Sequence, residues 1–282
     1  MTANTIPVAF IKQFESEVKE AYQRKSSKLR GSVRTKTGVR GASVMFPKFG
    51  TGTAVQKPRN SPIPPMNPDH SSVEVFLSDY YAGDWVDKLD ELKTNIPERQ
   101  LLANAHAYAL GRQTDALIVA ALDGATTARN VTGTGDLADS AGITKAKILK
   151  GLEMLNANDV PDDGDRVGLV SPQGWTNMLG ITEFVNSQYI GQTDLPFGGQ
   201  GMEMKRWLGV VWLRYTGLSI TSNIRTGFIY HKSAVAHAIQ EDVTTDITWH
   251  GDRAAHWINA MMAMGAGLID EAGLVRLKST ET

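Results

Sequence analysis

Residues 97–122 read PERQLLANAHAYALGRQTDALIVAAL, about seven turns of helix or ~39 Å at 1.5 Å per residue. Pro97 suits a first helical turn, where its missing N–H would be unpaired anyway, and Glu98 favours the positive end of the helix dipole. Gly124 stands where a C-terminal glycine belongs. Ala103, Ala107, Leu110, Thr114, Leu117 and Ala121 recur at spacings of four and three, which draws one mostly apolar stripe with Leu110 and Leu117 as its core positions. Small residues on the stripe let another backbone or a sheet lie close. Gly111 is the one weak point, costing roughly 1 kcal/mol relative to alanine. A structural spine and an ordinary enzyme core helix would both carry this pattern.

The rest of the composition narrows the class. At 282 residues, 41% hydrophobic and 21% charged, the chain can bury a large core in one or two domains. It has no run of eighteen apolar residues to span a membrane, and MTANTIPVAF has no basic start followed by an apolar stretch of the secretory kind. With no cysteine there are no disulfides, no Cys-ligated zinc and no thiol catalysis.

The net charge of −1 hides an asymmetry. Residues 1–60 carry twelve basic and three acidic side chains, and the remainder is predominantly acidic. From Ala21 to Asn60 ten are basic and none acidic: Arg24, Lys25, Lys28, Arg30, Arg34, Lys36, Arg40, Lys48, Lys57 and Arg59. A basic head on an acidic body can attract copies of itself or hold a polyanion. No aromatic interleaving or DNA-binding motif accompanies the basic segment, so self-association competes with nucleic-acid binding.

In chain order, residues 7–25 predict a short amphipathic helix with Phe10, Ile11, Phe14, Val18 and Tyr22 on one face. SSKLRGSVRTKTGVRGAS then has too few apolar residues to fold alone and reads as an arm awaiting a surface, with residues 21–40 expected on neighbouring subunits or under a shell of them. Ser43–Phe49 and Ser72–Tyr81 read as the strands of a projecting hairpin. Five of the eleven prolines fall within residues 58–68 and stiffen its tip. Phe46, Phe49, Val75 and Phe76 flank that tip and are expected to be partly exposed in a lone subunit.

Residues 83–94 predict a short helix and Ile143–Ala157 a second clear one. Arg166–Val170, Leu208–Tyr215 and Thr226–Tyr230 are strands, with helices from Pro172 and over SAVAHAI. Asp242–His250 alternates as a strand, and HWINAMMAMGAGLIDEAGLVRLK reads as two long strands around a turn at Asp270–Gly273.

Catalytic patterns do not emerge. GTGTAV and GTGD lack the following Lys-Ser/Thr of a phosphate loop, FGGQG lacks dinucleotide-binding spacing, and no G-x-S-x-G is present. The six histidines show no H-E-x-x-H spacing. Asp159, Asp162, Asp163 and Asp165 fail the EF-hand pattern and read as a solvated turn. No catalytic residue, cofactor or metal site is expected.

The order of parts carries more than any motif. A basic arm, a projecting hairpin, a long helix, an α/β subdomain and a return to long strands resemble the major capsid proteins of tailed phages, the fold of the Hong Kong ninety-seven type. MGAGLIDEAGLVRLK is similar to that family's closing strands, and VGLVSPQGWTNMLG to its strand-then-helix approach to the axial domain.

The resemblance implies an α+β chain. Its parts would be an arm (1–40), an extended loop (41–82), a peripheral domain with the spine helix (83–160 and 241–282) and an axial domain (161–240). It implies a virion protein assembled in the bacterial cytoplasm, copies joined as hexamers and pentamers, and non-specific contact with packaged double-stranded DNA. It also implies a portal and a decoration protein as further partners. Because the chain starts directly with the arm, a separate scaffolding protein is expected. Arg24, Lys25, Lys28, Arg30, Arg34, Lys36, Arg40, Lys57 and Arg59 are the candidate inter-subunit contacts. An α/β enzyme and a basic-armed DNA-binding protein are the competing readings.

Overall fold

Two sheets and a hairpin share one long helix, and the computed structural model describes them over residues 24–89, 98–186 and 204–281. The helix expected over residues 7–25 falls almost wholly outside those residues, as do Pro97 and the FGGQG loop. The chain enters through a 3₁₀ turn (Arg30–Ser32) and a three-residue strand, β1 (Arg34–Lys36). The hairpin follows as β2 (Ser43–Phe49) and β3 (His70–Phe76), paired antiparallel from Ser43 opposite Phe76 to Phe49 opposite His70. Then come β4 (Ser78–Asp87), helix α1 (Glu98–Asp123) and helix α2 (Lys145–Asn156).

The second half begins with β5 (Arg166–Val170), α3 (Pro172–Leu179) and α4 (Thr182–Val185). It continues through β6 (Met204–Trp207), β7 (Val210–Arg214), β8 (Ile220–Thr221) and β9 (Ile224–His231). Two long strands, β10 (Val235–His250) and β11 (Ala255–Leu268), precede the closing β12 (Leu274–Thr280).

The strands sort into a four-stranded sheet, β1-β10-β11-β4, and a mixed sheet ordered β12-β9-β5-β7-β6 with β8 beside β9. Helix α1 bridges the two. Leu110 packs with Ile239, Ala260, Met262 and Met264 of the first sheet, and Leu117 lies at the rim of that cluster. About two turns on from Leu110, Ile118, Val119 and Leu122 pack against Leu169, Leu213, Phe228 and Tyr230 of the second. The mixed sheet's other face is covered through α2, α3 and α4, where Ile148, Leu155, Trp175 and Phe184 meet Trp207, Trp212 and Ile229. Burial on both faces is why β5, RVGLV, reads as an unbroken apolar run.

Local chemistry fixes the helix starts. Thr144 caps α2 by accepting from the Lys147 amide, and Ser171 caps α3 ahead of Pro172. Lys147 is fully buried, and burial lowers its pKa. Its Nζ donates to the carbonyls of Ala141 (2.7 Å) and Lys278 (2.6 Å), tying α2 to β12. At the far end of α1, the Arg276 guanidinium donates to the carbonyls of Asp123, Ala125 and Thr126, which places a cation on the negative end of the helix.

Several expectations are corrected. Ser72–Tyr81 is not one strand: β3 pairs with β2, the chain bends at Leu77, and β4 pairs with β11. The first part of the helix expected over 83–94 is strand through Asp87, because the backbone of β11 supplies a ladder partner up to Ala255; Lys88 and Leu89 are helical, and residues 90–94 lie outside the described residues. After a 3₁₀ turn that takes in Ser233 and Ala234, SAVAHAI is strand from Val235, the start of β10, with β11 on one side and β1 on the other. The last two strands are not a hairpin: β11 stays in the four-stranded sheet, while β12 crosses to pair with β9. The turn between them, Glu271–Gly273, is capped by the Asp270 side chain.

Candidate assembly surface

The stripe expected on α1 is wider than its sequence pattern and includes a charge. Asp115 is fully buried. Its carboxylate accepts from Ser27 Oγ at 2.5 Å and from the backbone N–H groups of Lys28 and Leu29, both at 3.1 Å. The Arg24 guanidinium stands 3.8 Å away and lies 4.7 Å from the centre of the Tyr215 ring.

Gly111, a weak point in the helix by propensity, is the notch for this contact. A Cβ there would sit 2.8–2.9 Å from the backbone of Ser26. Leu29 and Val33 drop into the core just beyond, and Ser32 Oγ meets the Tyr230 hydroxyl at 2.6 Å. Residues 24–36 are therefore built into their own subunit, where the sequence suggested an arm lying on a neighbour. The only hint in the sequence was an acidic residue inside an apolar stripe, one turn after a glycine.

The nine candidate contact cations do not form one patch. Arg24 belongs to the Asp115 clamp, and Arg30 holds Asp242 in a two-bond fork of 3.1 and 2.8 Å, which lowers the Asp242 pKa. Lys25 lies over the Tyr108 ring and Arg34 over Phe46, each at 5.7 Å. Lys28 is half-buried beside the clamp. Lys36, Arg40, Lys57 and Arg59 are exposed, the last two on the hairpin loop.

That hairpin divides its apolar residues between two sides. Val44, Phe46 and Val75 are buried against Val39, Ala236 and Ala238, so Phe46 and Val75 are not exposed as expected. On the other side Phe49 is 70% exposed and Phe76 68%, and in the loop Ile63 is 80% exposed. Phe49, Phe76 and Ile63 are thus large apolar side chains that the hairpin leaves in water. A second aromatic group gathers at the far end of the four-stranded sheet. The Trp85 ring lies 4.7 Å from Trp257 and 5.0 Å from His250, with the Arg253 guanidinium 4.5 Å over it.

His237 of β10 lies fully buried with neither ring nitrogen hydrogen-bonded. Burial, aided by the Arg30 charge and opposed by Asp242, pushes its pKa down to about 4. The unfolded histidine titrates near 6.5, so the neutral ring stabilises the fold fully above that pH, and the contribution is lost as pH falls toward 4. The shift corresponds to about 3 kcal/mol at most. Between pH 7 and pH 4.5 the melting temperature of the parent should fall more than that of His237→Gln. Parallel curves for the two proteins would refute this.

Among the described residues no group of three or more His, Asp or Glu gathers as a metal site, and no helix is long and apolar enough to cross a membrane. The family model for phage capsid proteins matches residues 6–281. The chain belongs to the phage capsid protein family. Among curated proteins none matches this capsid protein.

Its fold is shared with solved phage chains at low identity. The capsid of Ralstonia phage GP4 aligns with a TM-score of 0.77 at 12% identity, covering 100% of this chain and 98% of that one. The capsid structure of Cyanophage P-SCSP1u gives 0.73 at 16%, covering 97% and 94%. A chain of Mycobacterium phage Che8 gives 0.69 at 19%, covering 98% of each. Membership makes this a structural protein of a phage shell and disfavours the enzyme reading.

Proposed function

We propose that copies of this capsid protein join as hexamers and pentamers and close into the icosahedral shell around the double-stranded DNA of a tailed phage. Assembly would take place in the host cytoplasm with a separate scaffolding protein and a portal, and with a decoration protein as a further partner. In this reading α1 and the four-stranded sheet form the peripheral platform, and the mixed sheet forms the axial unit. The observation that carries the reading is the hairpin. Its loop exposes Val55, Ile63 and Met66 beside Lys57 and Arg59, surface that a neighbouring copy would cover. Arg24 and Arg30 already have acidic partners inside the chain, which weakens the alternative of a basic arm that binds DNA.

Limited proteolysis tests this. Trypsin should cut unassembled protein quickly at Arg59 (the Lys57–Pro58 bond is a poor substrate), and assembled particles should resist. Equal protection before and after assembly would mean that the hairpin packs on its own subunit. Rings or shells should also be visible by negative-stain microscopy, and contacts between exposed charges should weaken as salt shortens their ~10 Å reach at 0.1 M.

A further inference from the structure

We propose that a pocket at the margin of the mixed sheet binds a small amphipathic anion, one carboxylate or phosphate carried on a short apolar body. The space measures about 340 Å³, inside the ~300–1,000 Å³ range usual for small-molecule sites. It belongs to the single chain, so it stands apart from the shell-forming reading above. Its floor follows from the strand register. Val167 of β5 lies opposite Val211 of β7, which in turn lies opposite Arg206 of β6; Leu169, Leu213 and Met204 form the next row. Val167, Leu169 and Leu213 belong to the core under α1. Cover fails along both rows. Leu169 is 0% exposed, Leu213 7% and Met204 58%, and beyond Val167 the half-buried Val211 gives way to an exposed Arg206.

Cations stand around this floor. Lys28, Arg206 and Lys232 line the pocket from three separate parts of the chain. The Arg206 guanidinium lies against Gly164: its Nη2 donates to the Gly164 carbonyl at 3.3 Å, and a Cβ there would come within 3.1 Å of it. Gly164 has φ +91°, a conformation that favours glycine, so the turn itself makes room for the guanidinium. Among the described residues Arg206 and Lys232 form no ion pair, and Asp165 is the one acid of the lining. Arg24 and Arg30, by contrast, are each matched to an aspartate.

The two halves of the pocket select the ligand. A guanidinium fork matches the paired oxygens of a carboxylate or phosphate, and a lysine ammonium adds a second positive charge. An apolar body would cover Val211 and Met204, which otherwise meet water. A neutral apolar molecule leaves the cations unanswered, and an inorganic anion leaves the floor wet. A molecule with both parts satisfies both. Gly31 and Ser32 also line the space, so the bound anion would tie the entering segment to β5, β6 and β7.

The unassembled full chain, carbon-labelled at its methionine methyl groups, tests this by NMR. Met204 lines the pocket, and Met204→Leu identifies its signal among the ten methionines. Octanoate or octyl phosphate should move that signal in a saturable way, and comparing the two shows which head group is preferred. Arg206→Ala combined with Lys232→Ala should weaken the binding roughly tenfold or more, the usual worth of a charged hydrogen bond. Neither side chain is buried, so the double variant should fold like the parent. Acetate and inorganic phosphate lack the apolar body, and octyltrimethylammonium reverses the charge; all three should leave the Met204 signal in place. If neither octanoate nor octyl phosphate moves it, or if the double variant binds them as tightly as the parent, the proposal is overturned. Octyltrimethylammonium binding as tightly as octanoate would overturn it too, because the surface would then be indifferent to charge. So would inorganic phosphate acting as strongly as octyl phosphate, since the floor would then contribute nothing.

Discussion

Asp115→Ala should lower stability by about 3 kcal/mol, since it strips the acceptor from buried or half-buried donors on Ser27, Lys28 and Leu29 and leaves the Arg24 charge beside an empty site. In a chain of this size that is a fall of roughly 6–12 °C in melting temperature. The loss should be local at first. Residues 24–33 would come away from α1, and trypsin would reach Lys25 and Lys28 before the rest of the fold opens. Asp115→Asn keeps the shape and one acceptor and should cost less. An alanine variant that melts with the parent and resists trypsin equally would show that the entering chain is held by Leu29 and Val33 alone.

Ile118→Asp is expected to give insoluble or unfolded protein. Ile118 is fully buried where α1 meets the mixed sheet, among apolar side chains such as Leu169 and Phe228. Burying an unpaired charge costs several kcal/mol against a typical domain stability of ~5–15 kcal/mol. Leu110→Asp, at a site 3% exposed, should behave the same way. Leu117→Asp is the discriminating control: its position is half-buried, so water can reach the carboxylate and the protein should remain soluble. Solubility of the three variants measured side by side checks the rotation of the helix. If Leu117→Asp proves the most damaging, α1 is turned by about 100° from the orientation described, one residue's worth of rotation.

The sequence determined the parts that depend on local chemistry. The long helix, the helix opened by Pro172, the strand RVGLV and the paired runs of the hairpin were legible because capping residues, proline and unbroken apolar runs act over a few positions. Their order was enough to carry the likeness to the capsid family.

What the sequence left open was partnership. Nothing in SAVAHAI distinguishes a helix from the start of a strand until β1 and β11 lie on either side of it. Nothing near Asp270 says that β12 leaves its neighbour for β9. The stretch from Arg24 to Lys36 looked unable to fold because its few apolar residues, Leu29 and Val33, need a surface from α1 and the mixed sheet, far along the chain. Gly111 read as a weak point in a helix for the same reason, and Asp115 drew no reading at all. A buried carboxylate and a missing side chain favour the fold only once Ser26–Leu29 are placed against them, and that placement belongs to the tertiary structure.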